Sequence, residues 1–294
     1  MDFAGLTPLS GGWSGHTFVS EADGERSVVR IYPPGLRDEA APEIDAAVLR
    51  LVRGLVPVPD VLEVRRGVTA AGLPGLLVTS FLPGERGDLV LPSLDDGDAA
   101  ALGRRLGALV ADLSGMPTLT AGPFVDAELT IGDFGMPDGL PGFVADHADA
   151  LGWEPDLLGR LEAVAEEAQA LLDGVGRTCL VHSDANPKNV LVDPDTLTVT
   201  ALLDWEFSHS GHPFTDLGNL LRFDRAPSYA DSVLAAWCER RGGTPHDALG
   251  LARAADLWAL VDLASREESN PVADRAAGHL RAIARSGDLH ATGE

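Results

Sequence analysis

Two short apolar runs, Leu180-Val181 and Val190-Leu191-Val192, flank the polar stretch His182-Ser183-Asp184-Ala185-Asn186-Pro187-Lys188-Asn189. An aspartate and, five residues on, an asparagine thus share one loop held by two strands, the arrangement that phosphoryl transfer requires. One carboxylate receives or orients the proton of an acceptor hydroxyl, and one amide oxygen holds a Mg²⁺ on the nucleotide phosphates. A β-hairpin with polar turn residues explains the same letters without chemistry. Fifteen residues after Asn189, Ala201-Leu202-Leu203-Asp204-Trp205-Glu206 ends an apolar strand on an acid. A carboxylate at a rigid strand end can bridge a metal to β- and γ-phosphate oxygens, whereas a solitary Asp there is an ordinary turn former. The two motifs in this order are far more specific than either alone.

The pattern His182-x-Asp184-x-x-x-x-Asn189, followed by Asp204-Trp205-Glu206, resembles the aminoglycoside phosphotransferase family within the wider protein-kinase-like fold. The resemblance covers almost the whole chain. It implies an α+β, two-lobed protein-kinase-like fold, with a small β-rich N-terminal lobe over residues 1–82 and a larger, mainly helical lobe over 83–294. It implies that Asp184 is the catalytic base, that Asn189 and Asp204 are Mg²⁺ ligands, and that His182 holds the loop. The expected reaction moves the γ-phosphoryl group of ATP or GTP to a hydroxyl of an aminoglycoside or a similar hydroxylated metabolite. A metabolic kinase of another small molecule is the alternative, as is a nucleotide-binding protein without catalysis.

The same resemblance gives the N-terminal segment a nucleotide role. Ser10-Gly11-Gly12-Trp13-Ser14-Gly15-His16 lies between two expected strands, and small residues there let backbone N–H groups approach phosphate oxygens, which points to Gly12, Ser14 and Gly15. A plain hairpin turn has the same composition. The strand Val28-Val29-Arg30-Ile31 should carry the cation that pairs with α- and β-phosphates. Lys188 is the only lysine in the chain, so that position is Arg30, which keeps the charge but presents it as a fork. The acidic-x-x-apolar-Leu-Arg pattern of Asp45 to Arg50 points to Asp45 as its partner, with Glu43 competing. Backbone groups around Ser80 to Leu82, in a strand running into Pro83-Gly84, resemble the hinge that meets an adenine edge. A strand and turn explain those letters equally.

These groups need elements to hold them. Short strands are expected at Phe18-Val19, Val28 to Tyr32, Val61 to Val64 and Leu76 to Phe81, with a helix between Glu39 and Gly54 whose apolar residues recur at helical spacing. Beyond Gly87 the pattern turns helical at Asp95 to Leu113 and Pro155 to Leu172. A second β patch at 178–181, 190–192 and 199–203 interrupts it. Helices return at 230–240, 248–265 and 272–285, and the polar tail 286–294 reads as frayed. Asp216 opens a helix and matches a family Asp that buttresses the catalytic loop, while Thr215 or Asp216 also suits a plain N-cap. No Ala-Pro-Glu segment or long activation loop follows Glu206, which favours a small-molecule acceptor over a protein.

Composition closes off other classes. Twenty-two basic against 45 acidic residues give a net charge of −23, and no basic run offsets it, so neither nucleic acid nor a membrane surface is an expected partner. No apolar run approaches the roughly 18 residues of a membrane span. Cys179 and Cys238 fit no zinc or redox spacing, so a cytoplasmic setting is expected, with Cys179 a buried structural thiol. On the acceptor side the resemblance suggests Glu206, Asp256, Trp258, Asp262, Glu267 and Glu268 as lining residues. The acids and the tryptophan would suit a cationic aminosugar. The same letters also suit the wet face of an amphipathic helix.

Overall fold

Strand alternation and helical spacing are realised in a computed structural model that describes residues 6–9, 16–22, 24–135, 139–266 and 270–293. A five-stranded antiparallel sheet comes first, built from β1 (Leu6–Pro8), β2 (His16–Ala22), β3 (Glu25–Tyr32), β4 (Val61–Arg65) and β5 (Gly75–Ser80). Its order is β1-β2-β3-β5-β4, and the pairs Arg30↔Thr17 and Arg30↔Leu77 put Arg30 on the central strand. Helix α1 (Ala41–Val52) buries Ala46, Val48, Leu49 and Val52 beneath it, starts with Pro42 in its first turn and stops before Gly54. The expected elements of this half are all present. The Gly12, Ser14 and Gly15 positions lie outside the described residues.

After β5 the chain turns at Pro83-Gly84 into β6 (Glu85–Arg86) and α2 (Gly87–Val90). Gly84 has φ +145°, and a Cβ there would stand 2.6 Å from Thr200 Oγ1 and 3.0 Å from Leu191 Cβ. Only glycine lets the connector press this closely on a hairpin. That hairpin is β10 (Val190–Val192) with β11 (Val199–Leu202), and β6 joins it as a third strand through Arg86↔Leu191. A second small sheet, in the order β7-β9-β12-β8, combines β7 (Pro117–Thr118), β8 (Gly122–Pro123), β9 (Thr178–Val181) and β12 (His209–Gly211).

Helices form the rest. They are α3 (Asp96–Ser114), α4 (Gly139–Asp146), α5 (Ala148–Leu151), α6 (Pro155–Asp173), α7 (Thr215–Leu221), α8 (Pro227–Arg241), α9 (Pro245–Ala264) and α10 (Pro271–Ser286). Asp95 caps α3 by accepting the Asp98 N–H at 2.9 Å. Leu102, Leu106 and Leu113 of α3, Tyr229 and Val233 of α8, Leu257 of α9 and Leu280 of α10 are essentially inaccessible to solvent and join one core. The short α4 and α5, between Gly139 and Leu151, were not expected from the sequence. Among the described residues, no helix is long and apolar enough to cross a membrane.

Through Gly293 the tail is anchored and not frayed. Arg225 donates from Nη1 to the carbonyls of His290 (3.1 Å) and Ala291 (3.4 Å), and the Gly293 N–H donates to His279 Nδ1 at 3.2 Å. Leu289 and Ala291 pack on the core. The tail's polar composition hides this because the anchors are main-chain carbonyls, which every sequence carries.

Two tests follow from the packing. At Gly107 of α3 a Cβ would lie 2.2 Å from the Val233 carbonyl of α8, whereas at Gly159 of α6 nothing lies within 4 Å. Gly107→Ala should therefore lower stability in urea by about 1–3 kcal/mol through overpacking. Gly159→Ala should raise it by up to about 1 kcal/mol, and the reverse ranking would contradict this packing. Burial, with the charges of Arg225, Arg275 and Arg253, holds the His279 pKa down to about 4. The unfolded chain takes up that proton near pH 6.5, so stability present above pH 6.5 is lost as pH falls from there towards 4. The Tm advantage of the wild type over His279→Gln should shrink between pH 7.5 and 5, and a widening advantage would refute the assignment.

Candidate active site

The loop between β9 and β10 is held from below by a buried carboxylate. Asp216, in the first turn of α7 and 3% exposed, accepts the His182 N–H at 2.9 Å and the Ser183 N–H at 2.8 Å. Burial pushes its pKa up, while those two N–H bonds act against the rise. One turn on, Asn219 Oδ1 accepts the Ala185 N–H at 3.2 Å. The fully buried His182 ring links both halves of the site. Its Nδ1 accepts the Asp184 N–H (3.2 Å), so Nε2 carries the proton and donates to the Leu203 carbonyl (2.8 Å). Trp205 lies against that ring, with centroids 4.6 Å apart.

Within this frame Asp184 is fixed at both carboxylate oxygens. Asn186 Nδ2 donates to Oδ1, and Asn189 Nδ2 donates to Oδ2 at 2.7 Å and to the Asp184 carbonyl at 2.9 Å. Lys188 Nζ stands 3.4 Å from Oδ2. Because Asn189 spends its amide nitrogen on Asp184, its Oδ1 is directed elsewhere, and no hydrogen bond among the described residues occupies it. The Leu203 N–H donates to the Asn189 carbonyl at 2.8 Å, which extends the β10–β11 ladder by one rung and brings Asp204 beside Asn189. Asp204 and Ser183 both have left-handed backbones, with φ 65° and 69°. Such strain in non-glycine residues persists only where surrounding contacts enforce it.

Asn189 Oδ1 and the Asp204 carboxylate are hard oxygen donors of the kind Mg²⁺ takes. No cluster of three or more His, Cys, Asp or Glu side chains suited to a metal occurs among the described residues. A two-donor set matches an ion that completes its shell with phosphates and water, so the residues present fit Mg²⁺.

The cation on β3 reaches this corner. Arg30 Nη1 donates to Asp204 Oδ1 at 2.8 Å, and its Nη2 donates to Glu206 Oε2. Glu206 is buried, with its pKa raised by that burial and by Asp204 and lowered in part by Arg30 and Arg37. The expected partnership of Arg30 with an acid of α1 takes another form. Asp45 is buried and accepts from Tyr32 Oη (2.7 Å) and from Arg37 Nη1 (2.9 Å) and Nη2 (3.2 Å), while Glu43 pairs with Arg66 at the surface. Asp is one methylene shorter than Glu, and Arg37 and Tyr32 occupy its reach. The longer Arg30 fork spans to Asp204 and Glu206 instead. The sequence reading missed Arg37, Tyr32 and the role of Glu206 towards Arg30, since no spacing rule links residues 176 positions apart.

At the other end of β5, Ser80 exchanges bonds with Asp60, through its N–H to the Asp60 carbonyl and its Oγ from the Asp60 N–H, both at 2.9 Å. The half-buried Leu82 keeps its N–H without a partner among the described residues. Of the suggested acceptor residues, Asp256 is neither open to a ligand nor on a wet face. It is 2% exposed and gripped by Arg222 through Nε (3.0 Å) and Nη2 (2.7 Å). Trp258 packs on Phe143 at 4.7 Å, Asp262 pairs with Arg266 at the surface, and Glu267 and Glu268 lie outside the described residues.

Comparison with known proteins matches this geometry. Aminoglycoside phosphotransferase APH(4)-Ia superposes with a TM-score of 0.68 at 19% identity, over 96% of this chain and 94% of that one. A thermostable mutant of it was solved with ADP and hygromycin B (TM-score 0.66, 18% identity, 96% and 94% covered). A microcompartment-associated aminopropanol kinase gives 0.68 at 22% identity, over 95% and 91%. These likenesses establish the two-lobed α+β, protein-kinase-like fold. Among curated proteins, acyl-CoA dehydrogenase family member 11 of Mus musculus is 32% identical over 94 residues, 26% of this chain. Member 10 of the same species is 26% identical over 217 residues, 72% of this chain. The chain spans only 12% and 20% of the length of those two relatives. The phosphotransferase enzyme family model matches residues 5–257, and with Asp184, Asn189 and Asp204 gathered at one corner of such a fold, the chain belongs to that family.

Proposed function

We propose that the protein moves the γ-phosphoryl group of ATP or GTP to a hydroxyl of a small metabolite, with residues 1–82 holding the nucleotide and 83–294 the acceptor. The observation that carries this reading is the double hold on Asp184 by Asn186 and Asn189, together with the Leu203–Asn189 backbone bond that sets Asp204 next to the loop. Asp184 orients the acceptor hydroxyl and takes its proton as the oxygen attacks the γ-phosphorus and the bond to the β-phosphate oxygen breaks. Asn189 and Asp204 would hold Mg²⁺, which supplies charge neutralisation on the phosphate oxygens. Arg30 leaves Asp204 to meet the phosphates while Glu206 retains it. Gly12, Ser14 and Gly15 cover the phosphates, and the Leu82 N–H and Ser80 backbone meet the base, with Asp45 steadying the strand through Tyr32.

The charge case for a cationic aminoglycoside, and for a resistance role with it, is weak. Asp256 is neutralised by Arg222, Glu206 by Arg30 and Asp262 by Arg266. A hydroxylated metabolite without several amino groups is the better-supported acceptor. Hydroxyacyl thioesters belong in any acceptor panel, because the curated relatives are acyl-CoA dehydrogenase family members. A cytoplasmic setting accords with the free Cys179, whose thiol pKa burial raises to about 12.

Mass spectrometry of wild-type reactions with Mg·ATP or Mg·GTP and a mixed hydroxyl panel should reveal one phosphorylated class. Asp184→Asn should lower kcat by about 10²–10⁴-fold and leave nucleotide affinity by calorimetry nearly unchanged. Full activity in Asp184→Asn would refute its role as base. Asn189→Ala and Asp204→Ala should each raise the Mg²⁺ concentration needed for half-maximal rate, and an unchanged requirement would remove them from the metal site.

A further inference from the structure

Four arginines converge where α7, α9, α10 and the tail meet, in a protein of net charge −23. Arg222 follows α7, Arg225 lies three residues on, Arg253 is on α9 and Arg275 on α10. The acids among them are Asp256 and Asp224, with Asp288 beside His290 at the tail and Asp184 and Asp262 acting on Arg222. Asp256 is consumed by Arg222, which grips it through two nitrogens. The other guanidinium groups face neutral carbonyls. Arg225 donates to the carbonyls of Arg222, His290 and Ala291, Arg253 to that of Leu221, and Arg275 to that of Phe223.

Donors are left over. Arg225 Nη2 and Arg253 Nε are buried without any hydrogen-bond partner, and Arg253 as a whole is only 7% exposed. Buried charges in proteins are paired, and a buried guanidinium whose spare donor reaches neither a carboxylate nor a carbonyl is a strongly unfavourable arrangement by itself. The neighbouring groups register the same excess. Burial and the charge of Arg225 bring the Arg253 pKa down to about 10, and the nearby His279 is held neutral to about pH 4. Helix α7 ties this junction to the catalytic loop, because Asp216 and Asn219 bind the loop and Arg222 lies one turn beyond Asn219.

We infer that the Arg225–Arg253–Arg275 junction binds an oxyanion, either a free phosphate or the carboxylate or phosphate arm of the acceptor. The second source rests on the phosphotransferase reading, whereas the site itself does not. Full-length protein is melted at pH 7.5 in chloride, in inorganic phosphate and in glycerol 3-phosphate at equal ionic strength. Phosphate should raise the wild-type Tm by roughly 2–4 °C. Arg225→Gln and the exposed Arg275→Gln should each reduce that rise relative to their own Tm in chloride. Arg66→Gln, in a surface pair with Glu43, should keep it. Equal rises with both anions identify a free-ion site, and a larger rise with glycerol 3-phosphate identifies an acceptor arm; both support the site. No rise in the wild type, or a rise that survives both variants and vanishes in Arg30→Gln, overturns it. Because no turnover is read, an anion-dependent shift in a protein without phosphotransfer would sink the functional reading and leave this site standing.

Discussion

The catalytic corner depends on one carboxylate that water does not reach. Asp216 is almost fully buried, and burial by itself favours its neutral form. What makes the anion tolerable is the pair of N–H groups it receives from His182 and Ser183. The same two bonds set the loop's path, and they hold Ser183 in a left-handed conformation that a free chain would leave. From there the constraint propagates outward. The His182 ring ties the loop to Leu203, Leu203 ties the hairpin end to Asn189, and Asn189 fixes Asp184. Asp184, the proposed base, is therefore held through bonds that lead back to the core.

A second constraint is electrostatic. Asp204 and Glu206 stand two residues apart on one short turn, and two carboxylates so close repel unless a cation lies between them. Arg30 supplies it from the other lobe, with Arg37 bridging Asp45 and the Glu206 carbonyl. The result is an ion-pair bridge between the strand that should meet phosphates and the turn that should hold metal. Its arginines present rigid forks, which suits a network where each cation must serve two acids at once. Lys188 is the only lysine in the chain, so the cation that β3 offers at this corner is an arginine.

How much of this was legible beforehand follows from where the determinants lie in the chain. The strands Thr178–Val181 and Val190–Val192 that flank the loop carrying Asp184 and Asn189 are local, and the sequence reading located those strands at the observed positions. Helices with apolar periodicity, such as α1, α3 and α6, were equally visible. The partners of Arg30, the burial of Asp256 under Arg222 and the anchoring of the tail by Arg225 were not. Each depends on residues brought together by tertiary packing, and an acid reads the same in sequence whether it is solvated or gripped by an arginine. The short α4 and α5 were missed because they carry too few turns for a period to show.

On the proposed mechanism, Asn189 and Asp204 would share a Mg²⁺ at the loop that Asp216 holds. A crystal structure with Mg²⁺ and a non-hydrolysable ATP analogue tests it most directly. It should show Asn189 Oδ1 and the Asp204 carboxylate on the metal, Asp184 still bonded to Asn189, and Arg30 moved from Asp204 to the phosphates. A nucleotide bound elsewhere, or a metal that avoids Asn189 and Asp204 while Arg30 stays on Asp204, would contradict it.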